Sequence, residues 1–125
     1  MCRYVRIQVR ECSYVTKYPK GIFGMCWRMI YDGVMTSEDE EVFKEMELWF
    51  KDNLPEPTLC KEGAQVITFF KTGTTEEMLK KLESAIQILD KYNHPYDIVY
   101  TNFVGEVLYE DEWQVAVKVE NGKMV

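Results

Sequence analysis

The sequence QVITFFKTGTTEEMLKKLESAIQILDKYNHPYDIVYT, residues 65–101, decides the fold. The apolar run at residues 65–70 and the stretch at residues 96–101 are typical of strands, and residues 75–92 between them have a helical pattern. The apolar side chains of the helical part share one face and are Leu79, Leu82, Ala85, Ile86 and Leu89. A strand, a helix and a strand in this order form a βαβ unit, so we expect the two strands to run parallel through a right-handed crossover.

Further secondary structure is expected on both sides of this unit. Residues 3–11 alternate apolar and polar side chains, as in a strand with one buried face. Two helical patterns precede the unit and two strand patterns follow it, at residues 21–31, 37–52, 105–109 and 113–120. The predicted fold is one α+β domain over residues 1–125, with three helices on a mixed sheet of four or five strands in the order β-α-α-β-α-β-β-β. Short links favour an antiparallel meander for the last three strands.

The composition bounds the class of protein. A chain of 125 residues with 46% hydrophobic residues is long enough for one core. It has no apolar run of ~18 residues, and residues 1–20 do not have the pattern of a secretory signal, so we expect a cytoplasmic protein without membrane association. The formal net charge of −6 argues against direct nucleic-acid binding, which relies on many Lys and Arg contacts to phosphates.

The charges are unevenly distributed along the chain. Residues 1–35 contain six basic and two acidic side chains, which leaves nine basic and nineteen acidic side chains for residues 36–125. If the fold keeps these regions apart, the surface is dipolar and steers charged partners.

The cysteines and the single histidine do not form a recognisable reactive motif. Cys2, Cys12, Cys26 and Cys60 include no C-x-x-C pair, and none has the spacing to His94 that a zinc site needs. We therefore expect reduced thiols, no metal and no cofactor, although the spacing leaves a Cys12–Cys26 bridge open. His94 follows a helix end without a nucleophile motif nearby, so we expect a solvated histidine and a protein that is not an enzyme.

The helix at residues 37–52 has one face for the core and an acidic face opposite. Ser37 with Glu40 matches a capping box. The acidic face contains Glu41, Glu45, Leu48 and Asp52. This face is either an ordinary solvated helix face or a surface that binds a basic partner. In the second case its carboxylates could even imitate a phosphate backbone.

A second candidate for partner binding is the run Glu110, Asp111 and Glu112, which links two predicted strands. Three adjacent carboxylates in a hairpin cannot all coordinate one hard cation, and no calcium-loop motif surrounds them. The alternatives are a solvated turn or an exposed acidic hairpin that contacts a partner.

A ligand pocket is the competing prediction. Its proposed residues are Arg6, Arg10, Trp27 and Lys71, with Lys71 at the start of a Gly and Thr loop that precedes a helix and could hold a phosphate. The loop does not match the G-x-x-x-x-G-K-[ST] spacing, and Thr74 with Glu77 also fits a capping box. Arg6 and Arg10 would otherwise be solvated on the outer face of a strand, and the aromatic residues near Trp27 would otherwise pack in the core.

The C-terminal sequence GEVLYEDEWQVA, residues 105–116, together with ITFFK at residues 67–71, WF at residues 49–50 and LPEP at residues 54–57, resembles a family of small bacterial proteins of about this length. The resemblance implies a bacterial or phage-borne protein of one domain. It implies no activity and assigns no functional residues.

Two functions from different classes follow from these patterns. The first is a non-enzymatic binding protein, such as a phage or mobile-element accessory factor that inhibits a host protein through the acidic helix face. The alternative is a small-molecule or nucleotide-binding protein with aromatic and basic residues around its pocket. In either case an edge strand could pair with a second copy to form a homodimer.

Overall fold

The computed structural model describes residues 2–54, 65–74 and 76–125. Within these residues three α-helices are present: α1 (Ile22–Tyr31), α2 (Ser37–Asn53) and α3 (Glu76–Lys91). The strands are β1 (Tyr4–Cys12), β2 (Pro19–Gly21), β3 (Val66–Lys71), β4 (Tyr96–Thr101), β5 (Val107–Glu110), β6 (Gln114–Glu120) and β7 (Lys123–Met124). The α+β class and the three predicted helices are therefore confirmed.

The sheet of the described chain has seven strands, and each pair of neighbours is antiparallel. The prediction of a mixed sheet is wrong, because β1 lies between β3 and β4 and pairs antiparallel with both. The strands of the βαβ unit thus run in the same direction without being neighbours. The strand number was underestimated because β2 and β7 have only three and two residues, too few for a sequence pattern.

The predicted meander of the last three strands is also wrong. Of these three strands only β5 and β6 form a hairpin, whereas β4 pairs with β1 and lies at the opposite edge of the sheet from β5. The long antiparallel ladder between β1 and β4, which joins Tyr4 through Val9 to Thr101 through Tyr96, replaces the hairpin that the short link suggested.

The main hydrophobic core lies between the helices and one face of the sheet. Ile7 and Val9 of β1 pack there with the buried faces of all three helices. The largest helical contributions to this core are Met25, Met29, Phe43, Met46, Phe50, Met78, Leu82, Ile88 and Leu89. Burial of each large side chain contributes about 1.5–3 kcal/mol, so the buried face of α2, with Phe43, Met46 and Phe50, is held in this core.

The other face of the sheet has its own apolar cluster. Its buried members are Tyr4, Ile67, Phe69, Val115, Val117 and Val119, and they are covered by Tyr18, Val104 and Met124 instead of helices. The loop that contains Tyr18 is fastened by Gly122, whose N–H donates to the carbonyl oxygen of Thr16 at 3.0 Å. Gly122 has a φ of 79°, and a Cβ there would lie 2.7 Å from the Lys17 carbonyl oxygen, so only glycine fits.

Candidate functional site

The exposed face of α2 carries the predicted acidic surface. Glu41, Glu45, Leu48 and Asp52, which we call the acidic stripe, are all exposed. They lie opposite the residues that α2 buries, which are Phe43, Met46 and Phe50. The packing of this helix therefore leaves the whole acidic stripe open to solvent.

The carboxylates of the acidic stripe are not neutralised within the described chain. No ion pair there includes Glu41, Glu45 or Asp52. Lys44 of the same helix pairs instead with Glu40, at 2.9 Å between Nζ and Oε1. Leu48 is 57% exposed in the middle of this negative surface, so the stripe combines charge with one apolar contact point.

The N-terminus of α2 is held in place by the C-terminus of α3. The Thr36 hydroxyl accepts a hydrogen bond from the Asp39 amide at 3.2 Å, and the Thr36 amide donates to the Tyr92 hydroxyl at 2.9 Å. The Asp39 carboxylate accepts from Lys91 Nζ at 2.8 Å and from the Tyr92 hydroxyl at 2.7 Å. Thr36 is thus the N-cap in place of the predicted Ser37, and the cap is tied to a second helix.

These contacts also set the charge of Asp39. The hydrogen bond from Lys91, followed by the one from Tyr92, lowers the pKa of the Asp39 carboxyl. A carboxylate at a helix N-terminus interacts favourably with the helix dipole. The start of α2 is therefore anchored to the end of α3 and carries a negative charge at neutral pH.

The acidic turn between β5 and β6 does not present three equivalent carboxylates. Asp111 turns inward: its Oδ1 accepts from the amides of Trp113 and Gln114 at 2.8 and 2.9 Å, and its Oδ2 accepts from the Tyr109 hydroxyl at 2.7 Å. Burial raises the pKa of Asp111, but these hydrogen bonds outweigh it, so the pKa is lowered. The carboxylate of Asp111 is therefore used to build the turn, and its assignment to partner binding stays a prediction.

Glu110 and Glu112 instead border an open cleft of about 380 Å³ at the end of β3. Lys71 also lines the cleft, and its Nζ lies 2.6 Å from Glu110 Oε2. The other lining residues are Cys2, Arg3, Tyr4, Thr72 and Gly73. The structure thus brings one predicted ligand residue together with two predicted partner-binding residues, and the cleft contains charges of both signs.

The remaining predicted ligand residues are not gathered in this cleft. Trp27 packs in the helical core, where its ring meets Phe43 edge to face at 5.4 Å. Arg10 is exposed and lies 3.7 Å from Asp97. Tyr14 and Tyr31 are exposed, and Tyr18 lies on the other face of the sheet, so the aromatic residues line no common pocket.

Arg6 has a role that the sequence did not reveal. It is 7% exposed, so the expectation of a solvated arginine is wrong. Its guanidinium donates to the carbonyl oxygens of Thr68 and Pro19 at 3.0 and 2.8 Å, and to Gln8 Oε1 at 3.1 Å. These hydrogen bonds form where β1 diverges from β3 and begins to pair with β2. Burial lowers the pKa of Arg6 to about 10, but the group remains charged at neutral pH.

In the part of the chain that the structure describes, no disulfide and no metal cluster includes the cysteines or the histidine. Cys26 is buried, which raises the pKa of its thiol to about 12, whereas Cys12 is exposed and both are free, so the bridge left open between them is absent. Cys60 lies outside the described residues. The His94 amide donates to the Leu89 carbonyl oxygen at 2.9 Å, which ends α3. Among residues 2–54, 65–74 and 76–125 no group of three His, Cys, Asp or Glu side chains is placed to hold a metal.

The sequence patterns missed one exposed apolar feature, the open edge at β4. Ile98 and Tyr100 are 44% and 54% exposed although they point to the same side of the sheet as the core residues Ile7 and Val9. The period-2 pattern predicted the strand but not its edge position. Only the pairing partner, β1, shows which side of β4 is left open.

Comparison with known proteins identifies no relative. No protein family matches the chain, and no curated protein or solved structure does either. The resemblance to small bacterial proteins therefore stays a prediction. In the described residues no helix is both long and apolar enough to cross a bilayer.

Proposed function

We propose that the protein is a non-enzymatic binding protein that holds a basic surface of a partner protein against the acidic stripe. The observation that carries this proposal is the set of three exposed carboxylates around Leu48, with no ion pair to any of them in the described chain. Carboxylates without internal partners are free to pair with Lys or Arg of another molecule, and a central exposed leucine adds apolar contact.

The anchoring of α2 supports the same function. The contacts of Thr36 and Asp39 with Tyr92, and the burial of Phe43 and Phe50, fix the helix before a partner arrives. A rigid surface binds with a smaller loss of conformational entropy than a flexible one. More narrowly, we propose that this protein is an accessory factor of a phage or mobile element. It would inhibit a host protein by covering the basic surface of that host protein.

The test is affinity capture with the double charge reversal Glu41→Lys/Glu45→Lys. The matched control is Glu83→Lys/Asp90→Lys, which reverses two exposed carboxylates on α3 and changes the net charge equally. We expect the α2 variant to bind the captured partner about tenfold or more weakly and the α3 variant to bind it normally, with binding of the unmodified chain weakening as salt screens the charges. Equal loss in both variants would show that only net charge matters, and no loss in the α2 variant would reject the acidic stripe.

A second candidate function is the binding of a small molecule or nucleotide at the cleft beside Lys71. Arg3, Lys71 and Thr72 line it, as an anionic ligand would require. Glu110 already pairs with Lys71, so a phosphate would have to displace a carboxylate, and for this reason we rank this function second. A thermal-shift screen of nucleotides separates the two, because a ligand at a hundred times its Kd adds about 2.7 kcal/mol of stability. A shift that Lys71→Met abolishes supports the cleft, and no shift rejects it.

A further inference from the structure

β4 is an edge strand of the sheet that the structure describes. It has six residues in continuous register with β1 and pairs with no other strand in the described chain. Natural edge strands are usually guarded by lysine, proline, a bulge or short length. β4 contains no lysine or proline, and its one charged residue, Asp97, lies 3.7 Å from Arg10.

The opposite edge of the sheet differs in these respects. β5 has only four residues, and its register with β6 shifts between Val107 and Tyr109. The segment before it is also covered, since the Glu106 amide donates to the Val125 carbonyl oxygen. Of the two edges, β4 is therefore the one suited to pair with another strand.

The direction of the free backbone groups of β4 follows from its neighbours. The Thr72 amide donates to the Arg3 carbonyl oxygen at 3.0 Å, so the backbone N–H and C=O groups of Arg3 point toward β3. These groups alternate in direction along an antiparallel strand, and those of Val5 therefore also point toward β3. The residues between them, such as Arg6, direct theirs toward β4, where the partner of Arg6 is Val99. The outward-facing N–H and C=O groups of β4 consequently belong to Tyr96, Ile98 and Tyr100.

These three residues are symmetric about Ile98. An antiparallel copy of β4 with Ile98 opposite Ile98 places each Tyr96 opposite the other chain's Tyr100, and it forms about six hydrogen bonds between the outward-facing groups. The paired side chains lie on the side of the sheet where Ile98 and Tyr100 are exposed, so the pairing covers apolar surface. Asp97 falls opposite Val99 of the other chain, so no carboxylates oppose each other.

We propose that β4 pairs antiparallel with β4 of a second copy of this chain about a two-fold axis at Ile98. A two-fold interface uses the same patch on both chains, and the Tyr-x-Ile-x-Tyr pattern is complementary to itself in that arrangement. The two sheets then join into one continuous sheet, and the acidic stripe of α2 is presented twice.

The test is the mass of the unmodified chain by sedimentation equilibrium over a range of concentrations. We expect twice the mass of one 14.8 kDa chain at high concentration. Ile98→Lys puts two lysines opposite each other and should return the protein to a monomer over the same range. Leu108→Lys is the matched control, because it adds the same charge at a similarly exposed position on β5 and should leave the dimer intact.

A second measurement keeps the proposal testable if Ile98→Lys does not fold. In hydrogen exchange followed residue by residue on the unmodified chain, the amides of Tyr96, Ile98 and Tyr100 should become protected as concentration rises, whereas those of Asp97, Val99 and Thr101 are protected at every concentration. A chain that is a monomer at all concentrations, a dimer that Ile98→Lys leaves unchanged, or exchange without this alternation overturns the proposal.

Discussion

At the scale of single residues, Arg6 shows how a charged side chain can serve the sheet. Its guanidinium donates to the Thr68 and Pro19 carbonyl oxygens at the point where β1 leaves β3 and pairs with β2. We expect Arg6→Met to lower the free energy of unfolding by about 2–3 kcal/mol, because buried carbonyl groups without donors cost about 1–3 kcal/mol. Urea unfolding measures the difference, and Arg10→Met, an exposed change on the same strand, is the control. Equal stability of the two variants would contradict this role.

Asp111 leads to a pH-dependent prediction. Its pKa is lowered in the folded protein, so its stabilising effect is fully present above the ordinary carboxyl pKa of about 3.9 and is lost as the pH falls through the folded value. Asp111→Asn should lower the free energy of unfolding by about 1.5–3 kcal/mol at pH 7, since hydrogen bonds to a charged group contribute in that range.

The measurement is urea unfolding of both proteins from pH 7 to pH 2. The difference between them should shrink below about pH 4, as the unmodified carboxylate is protonated. A difference that stays constant over this range would show that the Asp111 charge does not stabilise the turn. Glu120→Gln, an exposed change at the end of β6, should change stability little at any pH.

At the scale of secondary structure elements, the Tyr92 hydroxyl makes two of the hydrogen bonds that join α2 to the end of α3. Tyr92 accepts from the Thr36 amide and donates to Asp39, so Tyr92→Phe removes both bonds. We expect a loss of about 1–2 kcal/mol in the free energy of unfolding. Tyr31→Phe, at a 79% exposed position, should change it little. If hydrogen exchange at the first turn of α2 is the same in Tyr92→Phe and the unmodified chain, the hydroxyl does not anchor the helix.

The helices and strands were largely predictable from the sequence, whereas the pairing of the strands was not. Helical periodicity and the alternation of apolar and polar side chains in strands are local patterns. The three helices and the five longer strands could therefore be predicted. The insertion of β1 between β3 and β4 depends on contacts between distant parts of the chain, which no local pattern records. For the same reason the burial of Arg6 was not predicted. Its alternation with Val5 and Ile7 indicated the correct face of the strand, but no local pattern showed that the loop containing Tyr18 buries this face.

At the scale of the whole molecule, the candidate site was predictable in part. The acidic stripe is a helical pattern, and its exposure follows from the burial of Phe43, Met46 and Phe50 on the other side of α2. The predicted ligand residues are dispersed, because Arg6 and Arg10 lie on β1 of the sheet whereas Trp27 packs in the helical core. Two features could not be predicted from the sequence, because both depend on how distant elements are placed: the cleft at Lys71 and the open edge at β4.

The most direct test of the proposed function is hydrogen exchange of the chain with and without the partner recovered by affinity capture. The binding account predicts slower exchange at Glu41, Glu45, Leu48 and Asp52 of α2 in the complex, with no change at the Lys71 cleft. Protection that appears at the cleft and leaves α2 unchanged, or the failure of any protein to be captured, would contradict the account.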